Sequence, residues 1–377
     1  MKIGIVCPYD ITKGGGVLEI AKSQVAGLRK RGHEAYLITP RPRDHNGLAE
    51  GPVIFVGGSS DLRSPGKTTV QVSAGLSDDI EAMLAKHDFD ILHFHEPWLP
   101  MLSRQILSRS QAVNVATFHA KLPDTVMMRT MARVITPYMK SVLKYIDVFV
   151  AASDSGAEYV STLTEEPVAI IPVDIDLTKF TQAKKSEDPH GPKTILYVGR
   201  LEGRKGVKYL LHAFAALQPQ HPDLSLDILG DGVDRDKLEL LAGDLELKKV
   251  TFLGFRDNAE KIRRFQAADV YCSPALFGEG FGMVLLEAMA TGVPAVVGDN
   301  PGYASVMKGM GALSLVNPKD TAEFARRLEL MLYEEDLRRL WRKWAEKEVK
   351  QYSSEHMVSQ YEEVYQEALK KHRRSHQ

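Results

Sequence analysis

Short apolar runs rich in Val and Ile alternate with longer stretches of helical period along most of the chain, beginning with Ile3–Cys7, then Val17–Arg31, then Ala35–Thr39. A continuous apolar run suits a strand buried on both faces, and a helix between two such runs is the crossover that parallel pairing requires. The alternation therefore predicts an α/β fold with doubly wound parallel sheets. In the first helical stretch Val17, Leu18, Ala21, Val25 and Leu28 recur at spacings of one, three and four, which makes one buried stripe. Further strands are expected at Val53–Val56, Ile91–Phe94, Val113–Thr117, Val148–Ala152 and Ala169–Ile171.

The rhythm fades between Thr178 and Lys193, where the chain is polar and carries Pro189, Gly191 and Pro192. It restarts with Thr194–Val198, Leu224–Leu229, Val250–Leu253, Val270–Ser273 and Ala295–Val297. A length of 377 residues agrees with two domains. The expected boundaries are residues 1–177 for a first Rossmann-like domain, 178–193 for a linker, 194–352 for a second, and 353–377 for a helix and basic tail packing back on the first. From Asp320 to about Lys371 the pattern is almost wholly helical.

Lys and Arg number 48 against 49 Asp and Glu, so the net charge of -1 gives no whole-molecule attraction to nucleic acid. The two cysteines, Cys7 and Cys272, each end an apolar run, as reduced core thiols do. Without a signal-peptide pattern or an apolar run of the ~18 residues that suggest a span, the expected location is the cytoplasm, with any membrane contact peripheral.

In open parallel sheets, ligands sit just beyond the strand ends. Gly14, Gly15 and Gly16 follow the first strand and precede the first helix, where bare backbone N–H groups can approach an anion, although a flexible turn would look the same. Gly199–Gly206 follows the first strand of the second domain and carries Arg200 and Lys205, two cations able to stabilise a diphosphate leaving group or simply to face solvent. Phe277–Glu287 runs from a glycine-rich loop into a helix and places Glu279 on the loop and Glu287 in an apolar helical segment. A buried carboxylate there needs a partner, either ribose hydroxyls or a structural cation. The helix start at Gly282 and Met283 offers unbonded N–H groups to a phosphate.

These three motifs together resemble family-4 retaining glycosyltransferases of the GT-B fold, two Rossmann-like domains facing a cleft. The likeness extends to Cys7, Pro8 and Tyr9, to His93–Pro97 and to Ala116–His119, which look like bacterial phosphatidylinositol mannosyltransferases. The resemblance implies that Arg200 and Lys205 hold the donor diphosphate, Glu287 the ribose and Glu279 the sugar hydroxyls, with His119 near the reacting sugar. Donor-side residues are then Gly15, Gly16, Gly199, Gly230, Phe255, Gly280, Phe281, Gly282, Met283, Val284 and Glu287. Tyr9, His93, His95 and Glu96 would shape the acceptor side.

In such enzymes retention is explained by front-face attack, so Glu279 is not a glycosidase nucleophile. The donor is expected to be GDP-mannose first and UDP-glucose second, with a lipid or polyisoprenoid-linked acceptor, phosphatidylinositol among them. No cofactor or metal is expected, since His93, His95 and Glu96 fall short of a metal ligand set and the two cations serve in its place. The sequence departs from the mannosyltransferases at Leu18 and Glu19, at Val173 and Asp174, and in the sparse basic residues between Arg63 and His87.

Val126–Ile146 holds Arg129, Arg133, Lys140 and Lys144 on one helical face with no acidic residue, although Pro137 would bend it. That face fits either an anionic membrane surface or plain solvent. An epimerase on the same fold and a non-catalytic sugar-nucleotide binder are the alternatives to a transferase. The first would show acid and base residues around the anomeric carbon; the second would have lost Arg200, Lys205 or Glu279.

Overall fold

The computed structural model describes residues 1–12, 15–42, 51–63, 69–98, 101–119, 136–180, 191–279 and 281–375. The chain divides into two compact units, Met1–Asp174 with Ser354–Gln377, and Ile175–Ser353.

The first unit holds β1 (Lys2–Val6), α1 (Gly16–Lys30), β2 (Glu34–Arg41), β3 (Val53–Arg63), β4 (Thr69–Ala74), α2 (Ser77–His87), β5 (Ile91–His95), α3 (Leu102–Leu107), β6 (Val113–Phe118), a helix α4 with described residues 136–143, β7 (Val148–Ala151), α5 (Asp154–Ser161) and β8 (Val168–Ile170). Its strands form one sheet in the order β4-β3-β2-β1-β5-β6-β7-β8. All neighbours are parallel except β3 and β4. The antiparallel β4 adds an edge strand to an otherwise parallel sheet; Thr69–Ala74 alternates polar and apolar residues, so no apolar run announces it. The order reverses between β1 and β5, which makes the ends of those strands the switch point.

Two apolar cores flank the sheet. One gathers Ile3, Ile5, Leu18, Val25, Leu28 and Ile91 with Val358, Tyr361 and Tyr365; the other gathers Val6, Ile38, Phe94, Phe118, Val142 and Phe149. The residues from α1 are the stripe read from sequence, and Val358, Tyr361 and Tyr365 belong to the helix of Ser354–Ser375. Most of the expected basic tail is therefore helical. Packing of that helix against α1 is tight: a Cβ at Gly27 would lie 2.5 Å from a Val358 methyl.

The second unit continues with β9 (Thr194–Val198), α6 (Val207–Leu217), β10 (Ser225–Leu229), α7 (Arg235–Asp244), β11 (Val250–Gly254), α8 (Asn258–Ala267), β12 (Val270–Ser273), α9 (Met283–Thr291), β13 (Ala295–Gly298), α10 (Pro301–Val306), β14 (Leu315–Val316), α11 (Thr321–Tyr333) and α12 (Glu335–Glu348); the Ser354–Ser375 helix of the first unit is α13. The sheet order is β11-β10-β9-β12-β13-β14, parallel throughout, with its reversal between β9 and β12. α6 packs with α7 and α11, while α9 packs with α8 and α12. The two-residue β14 also escaped the sequence pattern. No described helix is long and apolar enough to cross a membrane.

Candidate active site

In the second unit the loops carrying the expected donor residues follow β9 and β12, the two strands that flank the switch point. Lys205 ends a short 3-10 turn, Gly203–Lys205, and its Nζ lies 2.7 Å from Glu279 Oε1. Arg204 reaches the same carboxylate oxygen at 2.9 Å and is held by Glu202 at 3.0 Å. The two loops are also joined through their backbones, Leu276 N–H donating to the Arg204 carbonyl at 2.9 Å.

Burial lowers the Lys205 pKa, and Glu279 acts against that shift. A partly desolvated ammonium held by one carboxylate is well prepared to exchange that partner for a phosphate oxygen. Arg200 differs from expectation in its surroundings: its side chain is 61% exposed and pairs with Glu202 at 2.9 Å. Arg204, which the loop's sequence does not distinguish from Arg200, is the arginine that meets Glu279.

Glu287 lies in α9 and is buried, as are its chain neighbours Leu285, Leu286, Ala288 and Met289. Both partners foreseen for it bear on the structure, because Lys261 of α8 donates to Oε1 at 2.5 Å while the buried Oε2 has no hydrogen-bond partner among the described residues. Burial raises the Glu287 pKa, with Lys261 opposing. An orphaned buried carboxylate oxygen costs ~1–3 kcal/mol or more, which a hydroxyl donor would relieve. Lys261, distant in sequence, was not foreseen.

The backbone around these side chains is tightly specified. Gly282 precedes α9 with φ 97° and gives no side-chain cap, so the first-turn N–H groups of Met283 and Val284 have no side chain bonded to them from that position. Gly230 follows β10 with φ 144°, and a Cβ there would lie 1.8 Å from the Gly199 carbonyl oxygen, so the strand ends approach only because it is glycine. Phe255 is 82% exposed, whereas Phe281 is buried edge-on against Tyr352 with centroids 5.3 Å apart. Gly280 lies outside the described residues.

In the first unit, the residues read as acceptor-side gather at the ends of β1, β5 and β6. His93, His95 and His119 are buried, and His95 stacks on both, with centroids 4.8 Å from His93 and 5.0 Å from His119. His119 Nε2 lies 2.7 Å from His95 Nδ1, and His119 Nδ1 is buried without a partner among the described residues. Burial lowers the pKa of His93 to about 3 and of His119 to about 4, and that of His95 well below the usual value, so all three are neutral at physiological pH.

Glu96 follows β5 with φ 51°, a left-handed conformation costing ~1–2 kcal/mol for an L residue. The turn aims its carboxyl at the His119 N–H, 3.0 Å away, and burial raises its pKa to about 8. Burial and the nearby Glu96 also raise the Tyr9 phenol, so it remains protonated. Gly15 caps α1 with φ 133°, and Gly16 is the first helical residue.

Arg129 and Arg133 lie outside the described residues. Lys140 is exposed on α4, but Lys144 stands on a turn beyond its end, 4.8 Å over the Tyr145 ring. The segment read as helical to Ile146 leaves the helix after Leu143: Tyr145 and Ile146 donate their N–H groups to the Val142 and Leu143 carbonyls, three residues back, which tightens the chain into a turn. Pro137, expected to bend the segment, is itself helical.

Two open α/β units, each with polar side chains converging at its switch point, define the GT-B class of glycosyltransferase. A sucrose-phosphate synthase from Thermosynechococcus elongatus shares this fold with a TM-score of 0.76 at 19% identity, covering 97% of this chain and 98% of that one. The family model described as glycosyl transferases group 1 matches residues 178–348, and the one described as glycosyltransferase family 4 matches residues 14–179. The phosphatidyl-myo-inositol mannosyltransferase of Mycolicibacterium smegmatis is 32% identical over 371 residues, covering 97% of this chain and 94% of that protein. A D-inositol 3-phosphate glycosyltransferase of Corynebacterium urealyticum is 35% identical over 216 residues, 52% of this chain and 50% of that one. The chain belongs to the glycosyltransferase family that these phosphatidyl-myo-inositol mannosyltransferases represent.

Proposed function

We propose that the protein transfers a hexose from a sugar nucleotide, with retention, to a lipid acceptor, with mannose from GDP-mannose and phosphatidylinositol as the leading pair. UDP-glucose is the second donor, and a polyisoprenoid-linked acceptor the second lipid. The observation that carries the donor half is the arrangement at the β9–β12 switch point: Lys205 and Arg204 gathered on Glu279, and Glu287 holding one oxygen on Lys261 with the other unbonded.

When a donor binds, Lys205, Arg204 and Arg200 turn to the diphosphate, Glu279 is released to hydroxyls of the sugar, and Glu287 Oε2 accepts from the ribose. As the bond from the anomeric carbon to the diphosphate breaks, the cations stabilise the growing negative charge. The acceptor oxygen attacks from the same face, and its proton passes to the departing phosphate. The reading requires no metal, because these cations supply the charge.

The inositol-lipid acceptor is supported by a relative aligned along nearly the whole chain, and the inositol phosphate enzyme aligned along half of it keeps inositol chemistry in common. We place the protein at the inner face of the cell membrane as a peripheral enzyme. The test is mass spectrometry of purified protein with a panel of sugar nucleotides, with phosphatidylinositol vesicles, free inositol phosphate or no acceptor, and proton NMR of the product's anomeric centre. A mannosylated lipid of retained configuration is expected. Transfer to inositol phosphate alone would overturn the lipid acceptor, inversion the mechanism, epimerised donor without acceptor would identify an epimerase, and no turnover a binder.

A further inference from the structure

His119 is the end of a buried line of hydrogen bonds running through the first unit to its C-terminal helix. From His119 Nε2 the line passes to His95 Nδ1 at 2.7 Å, and from His95 Nε2 to Gln24 Oε1 at 2.8 Å. Gln24 Nε2 then meets both the Tyr365 hydroxyl and His93 Nδ1 at 2.8 Å, and that hydroxyl lies 2.6 Å from the same Nδ1. His93 Nε2 continues to Thr117 Oγ1 at 2.7 Å, and Thr117 to the Tyr361 hydroxyl at 2.9 Å. Gln24, His93, His95, Thr117 and Tyr365 are wholly buried.

A neutral imidazole has one N–H and one lone pair, so each link dictates the next. With the Gln24 carbonyl facing His95, His95 must donate from Nε2 and accept at Nδ1. His119 must then donate from Nε2, and its unpartnered Nδ1 presents a lone pair. Reversing the amide reverses every link and turns the same atom into a donor. The amide of Gln24 thus decides whether His119 can accept a hydroxyl proton or must offer one.

We propose that Gln24 is a positioning residue for the transfer: through His95 it fixes the tautomer of His119 that leaves Nδ1 to accept a hydrogen bond from a substrate hydroxyl, and the Tyr365 hydroxyl of α13 accepts from the amide's other end. The proposal rests on the reading that His119 meets substrate. It gives the C-terminal helix a part in the site that neither its sequence nor its distance along the chain discloses.

Gln24→Leu should lower kcat for mannosyl transfer about tenfold (~1.4 kcal/mol), leave KM for the sugar nucleotide within about twofold, and move the proton of His119 between its nitrogens, read by two-bond proton–nitrogen NMR of histidine-labelled enzyme. Gln24→Glu keeps an acceptor facing His95 and should retain both the tautomer and more of kcat than the leucine variant. A purely structural role predicts the reverse order, since a buried carboxyl is the more disruptive substitution. Tyr365→Phe should give an intermediate loss and a mixed tautomer.

His119→Ala separates the two readings. Undiminished transfer in that variant overturns the place of His119 at the substrate. Impaired transfer there, combined with an unchanged tautomer in Gln24→Leu or a glutamate variant slower than the leucine one, overturns the relay alone.

Discussion

The two units use opposite electrostatics for their polar groups. Around Glu279 and Glu287 the polar side chains are charged and matched by opposite charges, whereas around His95 they are buried and neutral. Ion pairs can be exchanged when a ligand of the same sign arrives, so the first arrangement suits a diphosphate that comes and leaves. A neutral hydrogen-bonded line cannot trade partners without reversing its polarity, so it suits the fixed presentation of one lone pair. One region is built to be displaced by its substrate; the other is built to stay.

The sharpest way to break this contrast is to remove an exchangeable charge. Lys205→Ala and Glu279→Ala should each lower transfer by about 10²–10³-fold, the scale of losing one transition-state partner, with the fold kept. Initial rates and circular dichroism test this, and near-normal rates in either variant would remove the proposed mechanism.

A smaller effect distinguishes pairing from burial at Glu287. Lys261→Met leaves a buried carboxyl without its cation and should destabilise the protein by about 3 kcal/mol in urea unfolding, while adding Glu287→Gln should restore most of it. Equal stability of the single and double variants would mean that the pair is not coupled.

The neutral histidines predict a pH dependence. Below the ordinary histidine value near 6.5 the unfolded chain takes up protons that folded His93 and His119 refuse until about pH 3 and 4, so stability falls with falling pH by about 1.4 kcal/mol per unit for each. Glu96 has the opposite sign: the folded chain keeps its proton up to about pH 8 while the unfolded one loses it near 4.5, so stability also falls as pH rises through that window. The cluster's contribution should peak near pH 6.5. Denaturant midpoints measured across pH check it, and a profile still rising between pH 6.5 and 8 in wild type but not in Glu96→Gln would contradict the sign for Glu96.

The smallest effect belongs to the surface. Neutralising Arg129, Arg133, Lys140 and Lys144 together should reduce binding to anionic vesicles by about 1 kcal/mol per residue that meets the lipid. Unchanged partition in a sedimentation assay would return the segment to solvent.

Much of this was legible before the fold was known. The alternation of apolar runs gave twelve of the described strands in place, Glu287 could be recognised as a buried carboxylate needing a partner, and the motif loops were assigned to strand ends because open parallel sheets admit little else. β4 and β14 escaped because a short edge strand needs few apolar residues, and Arg204 because periodicity does not say which cations of a loop point inward.

The sequence by itself determined the class of fold, the loops that carry charge and the family to which they belong, because these are written in local spacing and in residue type. Only the tertiary structure decided that Lys261 answers Glu287, that Arg204 rather than Arg200 faces Glu279, and that Tyr365 and Gln24, 341 positions apart, share one proton line with His93. Those choices depend on which helices and loops are brought together across a sheet. Spacing fixes the face a side chain occupies on its own element, and packing alone fixes what it meets there.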